Sequence, residues 1–518
     1  MNQILYPLGE QDFRNIRGGG YLYVDKTPYI ISLLTNRYYF LSRPRRFGKS
    51  LFLSTLKYFF EGRRELFKGL AIDSWKEWDW EPYPVVSINL SEGSFSKPFG
   101  LTQRLLEIIE ETEKIYGVPG IGDDPRSRFR NLINALYNKF GRGVVVLVDE
   151  YEKPLLDTID EGHNALFVKE LSEFYSVLKG NEDKIRFLFL TGVSRFGHLN
   201  IFSGLNNLTD ISLVDQYSAI CGITSQELID YFRPGIENLA IAKNIDFDTA
   251  LIRLRDYYDG YHFSGAMVDI YNPYSLLNCL WSSKFTDKWF QTGSSTYLLK
   301  ILRNNRFNLN RLEGTRATEN SLTGADASFT DSITLLYQSG YLTIKGYDSE
   351  REIYTLGIPN REVKEALYSA IVPFYLGARY KNDKDEAYGF IALLESGKAQ
   401  EAMVWLKSYF SSIPYDVKLN YEAEFQQVMY AFMALVGMLA NAQLEKQTAN
   451  GRIDMVLLLK DFIYVFEFKL GMDASLALDQ INSKDYALQW ASDHRKVIKI
   501  GIAFSPSNRG ISDFKIES

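Results

Sequence analysis

Residues 41–53 read LSRPRRFGKSLFL, and this stretch constrains the fold more than any other. An aromatic-rich run with strand character, RYYFL from Arg37 to Leu41, precedes it, and SLFLSTLKYFF from Ser50 has the apolar spacing of a helix. A strand that turns through glycine into a helix makes an anion site. The first N–H groups of the helix are unpaired and its dipole is positive there. The general pattern is G-x-x-x-x-G-K-[ST], in which backbone N–H groups cradle phosphates, the lysine reaches them and the hydroxyl binds Mg²⁺. Gly48, Lys49 and Ser50 fit, whereas Arg43 stands where the first glycine belongs. Three matching residues also recur by chance, so the rest of the chain must decide.

A phosphate loop needs a magnesium carboxylate on a second strand, and VVVLVDE at 144–150 supplies one. Five apolar residues, Val144 to Val148, predict a buried parallel strand, with Asp149 at the end where open α/β sheets bind ligands. Asp149 is assigned to the Mg²⁺ shell and Glu150 to the attacking water, because phosphoryl transfer is mostly positioning and electrostatics. Taken alone, the segment also reads as a buried strand ending in two solvated acids; the upstream loop favours the nucleotide reading. IRFLFLTG from Ile185 predicts a third strand ending in Thr191, a γ-phosphate sensor, with Arg195 nearby to neutralise transition-state charge or to pair with a carboxylate. VVSINL at Val85 predicts a further strand between the loop and Asp149.

At 518 residues the chain exceeds one hydrophobic core and divides into roughly three or four domains. With 46% hydrophobic and 24% charged residues it belongs among globular chains, not disordered or fibrous ones. A formal charge of −6 argues against a basic coat for nucleic acid but permits a local basic groove. Cys221 and Cys279 are too few for a disulfide framework, and His163, His198, His262 and His494 are too scattered for a structural zinc. The N-terminus, MNQILYPLGEQDF, lacks the layout of a secretory signal. The longest apolar run, AFMALVGMLANA from Ala431, falls short of the about 20 residues that span a bilayer and predicts a core helix. The expectation is a cytoplasmic protein with no membrane association.

In the middle of the chain, Thr224-Ser225-Gln226-Glu227 is a capping box that opens a helix. From Ser332 to Leu367 the pattern predicts a helix, two strands around a charged turn and another helix, which is a winged-helix outline. Its tip, GYDSERE, is net acidic and favours a lid or a protein contact over DNA. YNPYSLLNCL and WFQTGSSTYL read as aromatic core helices.

GRIDMVLLLKDFIYVFEFKL, at 451–470, predicts a hairpin of two strands meeting at Lys460-Asp461. Glu467 and Lys469 are two apart and face the same side, and the hairpin can bring Asp454 opposite them. Two carboxylates and a lysine on one face of a sheet interior need a compensating charge. A divalent cation, Mg²⁺ or Mn²⁺ on Asp454 and Glu467, supplies it, with Lys469 acting on the attacking water at a phosphodiester. Alternating acid and lysine on a solvated strand face is the competing reading, weakened here by Phe466 and Phe468. The basic cluster HRKVIK, from His494 to Lys499, suits either DNA phosphates or a solvated strand edge.

PRRFGKS (Pro44 to Ser50), YVDKTPYI (Tyr23 to Ile30), VDEYEKP (Val148 to Pro154) and FSGLNNLTDI (Phe202 to Ile211) together resemble the bacterial AAA-ATPase-like family. That family often carries a C-terminal PD-(D/E)XK nuclease domain, and the resemblance extends over essentially the whole chain. Related ATPases begin the loop G-P-R-R-x-G-K, so Pro44, Arg45, Arg46, Gly48 and Lys49 match and Arg43 departs. The resemblance implies an α/β protein. A P-loop AAA-like ATPase core would occupy 1–215, a helical and winged-helix lid 216–395, and a PD-(D/E)XK nuclease-like domain 396–518. It implies ATP and Mg²⁺ at Arg46, Phe47, Gly48, Lys49, Ser50, Asp149, Thr191 and Arg195, with Asp25 and Lys26 at the base or in a structural turn. At the nuclease site, where Mn²⁺ can replace Mg²⁺, Asp454, Glu467 and Lys469 match D-(x)n-E-x-K. Glu424 is similar to the fold's upstream acid and Gln480 to a glutamine after E-x-K; Lys484 holds the place of a tyrosine found in some branches, with Tyr486 nearest. The implied function is an ATPase coupled to a metal-dependent phosphodiesterase acting on nucleic acid, DNA first. A homo-oligomer or a protein partner is compatible with it. The alternative is an ATP-dependent regulatory switch whose C-terminal domain binds nucleic acid or protein without cutting.

Overall fold

A computed structural model describes residues 4–159, 161–194, 201, 207–286, 295–305, 307, 309, 312–324, 331–376, 383–411, 422–440, 443–448, 451–505 and 510–518. The chain divides into two compact units, Met1–Gly293 with Leu312–Val363, and Ser294–Arg311 with Lys364–Ser518.

The first unit is built on a five-stranded sheet. Strand β1 (Tyr38–Ser42) leads through the glycine turn into helix α1 (Lys49–Phe60), followed by β2 (Val85–Asn89), α2 (Gly100–Tyr116) and α3 (Pro125–Phe140). Then come β3 (Val144–Asp149), α4 (Asn164–Lys179), β4 (Ile185–Gly192) and the short β5 (Thr209–Asp210). The spatial order is β2-β3-β4-β1-β5, and all pairings are parallel. Every residue of β3 is buried, as a parallel strand covered by helices on both faces requires. Val144, Val146 and Val148 face one way, with Leu188 and Leu190 of β4, into a core completed by α2, α3 and α4. The alternate residues Phe187 and Phe189 meet Phe60 and Phe52 of α1, with ring centroids 5.0 Å apart for Phe60 and Phe187, and Tyr39 packs beside Phe187. Because β4 lies between β1 and β3, the phosphate turn, Thr191 and Asp149 emerge side by side at one edge of the sheet.

The same unit continues with α5 (Ser225–Lys243), α6 (Phe247–Tyr258) and α7 (Pro273–Ser282), which share a core that includes Leu228, Phe232, Leu254 and Leu276. The capping box forms as expected: Thr224 Oγ1 accepts from Glu227 N, and the Glu227 carboxylate accepts from Thr224 N. Strand β6 (Thr315–Ala317), helices α8 (Glu319–Thr323) and α9 (Ser332–Gln338), and strands β7 (Thr343–Asp348) and β8 (Ile353–Gly357) complete it, with sheet order β6-β8-β7. Helix α10 (Arg361–Leu376) follows, so the expected helix, two strands and helix are all present.

The second unit contains α11 (Asp383–Glu395), α12 (Ala399–Ser411), α13 (Glu422–Leu439), β9 (Gln443–Thr448), β10 (Gly451–Leu458) and β11 (Phe462–Leu470). Helix α14 (Ala474–Ser483) and strands β12 (Lys496–Ser505) and β13 (Gly510–Glu517) finish the chain. The sheet runs β9-β10-β11-β12-β13, with β10 and β11 antiparallel and β11 and β12 parallel. The apolar run from Ala431 lies in α13 and is a core helix, with Phe432, Leu435 and Val436 fully buried. Among the described residues no helix is long and apolar enough to cross a membrane.

Candidate functional site

At the phosphate turn the glycine requirement is met in an unexpected place. Gly48, with φ +94°, and Arg46, with φ +69°, are the left-handed residues of the turn, and Arg43 is not one of them. Arg43 points its side chain into the fold. It donates to the carbonyls of Ser42 and Ser212 at 2.8 Å and of Tyr217 at 3.0 Å, and its guanidinium lies 4.3 Å from the centre of the Phe263 ring. The first position therefore needs no glycine, and arginine there ties β1 to the segment after β5.

Lys49 is buried, and its ammonium donates to the carbonyls of Arg43 and Pro44 at 2.8 and 3.1 Å. Burial pushes its pKa down, opposed by the carboxylates of Asp149, Glu152 and Glu150. Asp149 ends β3, and Thr191 Oγ1 donates to Asp149 Oδ1 at 2.6 Å. Thr191 thus holds the Asp149 carboxylate, a contact at the strand tip that faces a carboxylate instead of open cavity. Glu150 adopts φ +51°, a conformation uncommon for a residue with a long side chain. Arg45, Arg46, Gly48, Lys49, Ser50, Asp149, Glu150 and Tyr274 line one cavity of about 370 Å³, within the usual range for a small-molecule site. Arg195 and Phe202 lie outside the described residues.

A smaller apolar cavity of about 90 Å³ adjoins the turn, lined by Tyr23, Phe47, Leu51, Ile223, Phe232 and Leu277 among others. Gly48, Pro273 and Leu277 line both cavities, so the two adjoin. The residues of the apolar cavity are scattered from the N-terminus to α7, and among them the sequence points to Phe47 and Lys26. Asp25 and Lys26 make structural contacts, and Lys26 also lines the apolar cavity. Asp25 Oδ2 accepts from Ala71 N, and Lys26 Nζ donates to both Glu227 oxygens at 2.7 and 2.8 Å. YNPYSLLNCL is a core helix on its apolar side, with Leu276 and Cys279 fully buried, yet Tyr274 faces the phosphate cavity. Glu152 also escaped the sequence reading. It is 1% exposed, accepts from Val193 N through Oε1, and leaves Oε2 without a partner; burial raises its pKa to about 7.

In the second unit the hairpin brings Asp454, Glu467 and Lys469 together. Asp454 Oδ2 accepts from the backbone N–H of Phe468 at 2.8 Å. Glu467 is 2% exposed, and burial followed by repulsion from Asp454 raises its pKa to about 7. Its Oε1 accepts from Lys469 Nζ at 3.1 Å, and among the described residues its Oε2 has no partner. Lys469 also donates to Gln480 Oε1 at 2.5 Å, and Gln480 Nε2 reaches Tyr486 Oη at 3.5 Å. Tyr486 is buried, whereas Lys484 forms the C-cap of α14. Helix α14 comes this close because Gly501 lies beneath it. A Cβ there would meet Ala474 O at 2.6 Å and Leu478 N at 2.7 Å. Glu424 lies on α13, but its side chain falls outside the described residues. In the HRKVIK cluster, Arg495 pairs with Asp493 at 2.7 Å and Lys499 with Glu517 at 2.7 Å, so internal partners take much of its charge.

The donor set suits a hard divalent cation. Asp454 and Glu467 offer only oxygen, and the unpartnered Glu467 oxygen is a buried acceptor that needs positive charge. Among the described residues no group of three or more His, Cys, Asp or Glu side chains forms a metal cage. Two carboxylates still match Mg²⁺, which usually completes its shell with water and substrate phosphate.

The first unit thus carries the sheet order and turn of a P-loop ATPase, and the second the strand order of a PD-(D/E)XK nuclease fold. Residues 7–202 match the family model of a predicted AAA-ATPase (AAA-ATPase-like), and residues 420–514 match that of the PD-(D/E)XK nuclease superfamily. A protein of Azotobacter chroococcum mcd 1, described as an uncharacterized protein in the vnfD 5′ region, is 35% identical over 533 residues, covering 100% of both chains. The chain belongs to the AAA-ATPase-like family and carries a PD-(D/E)XK nuclease superfamily domain at 420–514. Among solved structures, the Aeropyrum pernix ORC2 protein in its ADPNP–ADP complexes matches with a TM-score of 0.28 and 14% identity, covering 69% of this chain and 98% of that one. The Aeropyrum pernix ORC1 protein in complex with DNA matches with a TM-score of 0.25 and 11% identity, covering 68% and 95%. Superpositions this loose carry no argument about the present chain.

Proposed function

We propose that the protein binds and hydrolyses ATP at the phosphate loop and cleaves nucleic acid, DNA first, at a metal-dependent site formed by Asp454, Glu467 and Lys469. On this reading 1–215 is the ATPase, 216–395 a helical and winged-helix lid, and 396–518 the nuclease-like domain. The observation that carries the nuclease reading is Glu467, a buried carboxylate between an aspartate and a lysine with one oxygen unpartnered. Glu152 also leaves one oxygen unpartnered, and what sets Glu467 apart is the aspartate and the lysine beside it.

At the first site Lys49 would exchange the carbonyls of Arg43 and Pro44 for β- and γ-phosphate oxygens, and Ser50 and Asp149 would hold Mg²⁺. Thr191 keeps the Asp149 carboxylate in place, and Glu150 orients the water. At the second site Asp454 and Glu467 would hold a divalent ion, which supplies charge neutralisation at the phosphate and a more acidic water. Lys469, fixed between Glu467 and Gln480, orients that water. Two side-chain acceptors on one ammonium fix its direction.

The test is cleavage of DNA and RNA substrates with and without ATP and Mn²⁺, in wild type and three variants. Wild type should cut. Asp454→Asn should abolish cutting and the Mn²⁺-dependent thermal shift, Lys469→Ala should abolish cutting but keep the shift, and Glu150→Gln should bind ATP but turn it over at least about tenfold more slowly. No cleavage of any substrate, together with no metal-dependent shift, would leave the non-cleaving switch in its place.

A further inference from the structure

Four cationic side chains line the phosphate cavity, Arg45, Arg46, Lys49 and Lys153, the last of which is bonded to Asp157. Lys49 already bonds two carbonyls of its own loop. Arg46 is held differently. Its backbone takes φ +69°, which only a surrounding structure can impose on a residue of this kind. Its guanidinium carbon lies 4.5 Å from the centre of the Tyr274 ring, and among the described residues it forms no ion pair. A guanidinium resting on an aromatic face keeps its N–H donors free at the edge and is weakly hydrated, so little must be given up when it meets phosphate.

Tyr274 is itself well anchored. It sits in the first turn of α7, where Asn272 caps the helix by accepting from Ser275 N at 3.1 Å and Pro273 fixes the first residue. Ser275 Oγ donates to Glu362 Oε1 at 2.8 Å, and both side chains are buried. Tyr274 lines the phosphate cavity but not the apolar one, so on the nucleotide reading it would face the polyphosphate. Asp149 and Glu150 line the same cavity, and on the nucleotide reading they would face the terminal phosphate.

We infer that Tyr274 is a positioning residue that presents Arg46 to the terminal phosphate of a nucleoside triphosphate, so that α7 and the phosphate loop jointly distinguish triphosphate from diphosphate. This rests on the nucleotide reading of the cavity. The pairing joins two elements far apart in sequence, and it adds a second cation at the terminal phosphate to Lys49, which would span the β- and γ-phosphates.

The test is calorimetric titration of the full-length protein with ATP and with ADP. Tyr274→Leu, which removes the π face but keeps apolar bulk, should weaken ATP binding roughly tenfold and ADP binding by less than about twofold. Tyr274→Phe should restore the ATP affinity. Arg46→Ala combined with Tyr274→Leu should be no weaker than Arg46→Ala alone, since the two act as one unit. Equal losses for ATP and ADP, unchanged ATP binding in Tyr274→Leu, or additive losses in the double variant would each overturn the inference while wild-type binding stands. Absence of ATP binding in the wild type would instead remove the nucleotide reading, and this inference with it.

Discussion

Arg43 illustrates what one residue can hide. From the sequence it is a mismatch at a glycine position, because the direction of a side chain is set by contacts that no local pattern encodes. In the fold it meets three carbonyls and a ring, all on segments distant in sequence or on its immediate neighbour. Glu152 is a similar case two residues past the legible Glu150. Its carboxyl is buried with a pKa raised from 4.5 to about 7, so the folded protein holds a proton that the unfolded chain releases. Its contribution to stability is therefore full below about pH 4.5 and is lost as pH rises through about 7. Glu152→Gln keeps the acceptor for Val193 N–H and removes the titration, so its melting temperature should rise relative to wild type across that window. A difference that stays flat with pH would mean that Glu152 is not buried as an acid. By contrast Asp149, Lys49 and Glu467 were legible, because strand ends and a two-residue spacing place a side chain without any knowledge of the partner strand.

At the scale of elements, the readable features are those made by neighbours in sequence. The capping box at Thr224 and the hairpin at Lys460-Asp461 are local hydrogen-bond and turn patterns, and both form. The approach of α14 to the sheet is not local. It depends on Gly501, opposite Glu467 in the β11–β12 register, and only this closeness lets Gln480 reach Lys469. Gly501→Ala should push α14 away, lower the stability of the second unit by about 1–3 kcal/mol and reduce cleavage with it. Urea unfolding followed with the cleavage assay checks this, and a variant as stable as wild type would mean that the helix spacing is set elsewhere. The pairing of Gln480 with Tyr486 in place of Lys484 has the same origin: α14 ends at Ser483, and the turn after it carries Tyr486 back into the core.

For the whole molecule, the division into units interleaves in sequence, crossing at 293/294, 311/312 and 363/364. Linear reading favours consecutive blocks, since nothing in composition marks a segment that leaves a unit and returns. Within the second unit, α11 contributes Phe390, whose ring centre lies 6.3 Å from that of Phe432, and Leu394 O accepts from Tyr464 Oη at 2.7 Å. A fragment of residues 396–518 leaves these partners behind. It should melt several degrees below a fragment of 364–518, measured by circular dichroism, and equal melting would show that α11 is dispensable. The interleaving also fixes an order of events during synthesis. The ribosome completes the last residue of the first unit, Val363, before it reaches Asp454, Glu467 or Lys469. Every nascent chain therefore holds a whole nucleotide-binding unit before any residue of its proposed cutting site exists, so each such site is added to a chain whose ATPase unit is already fully synthesised.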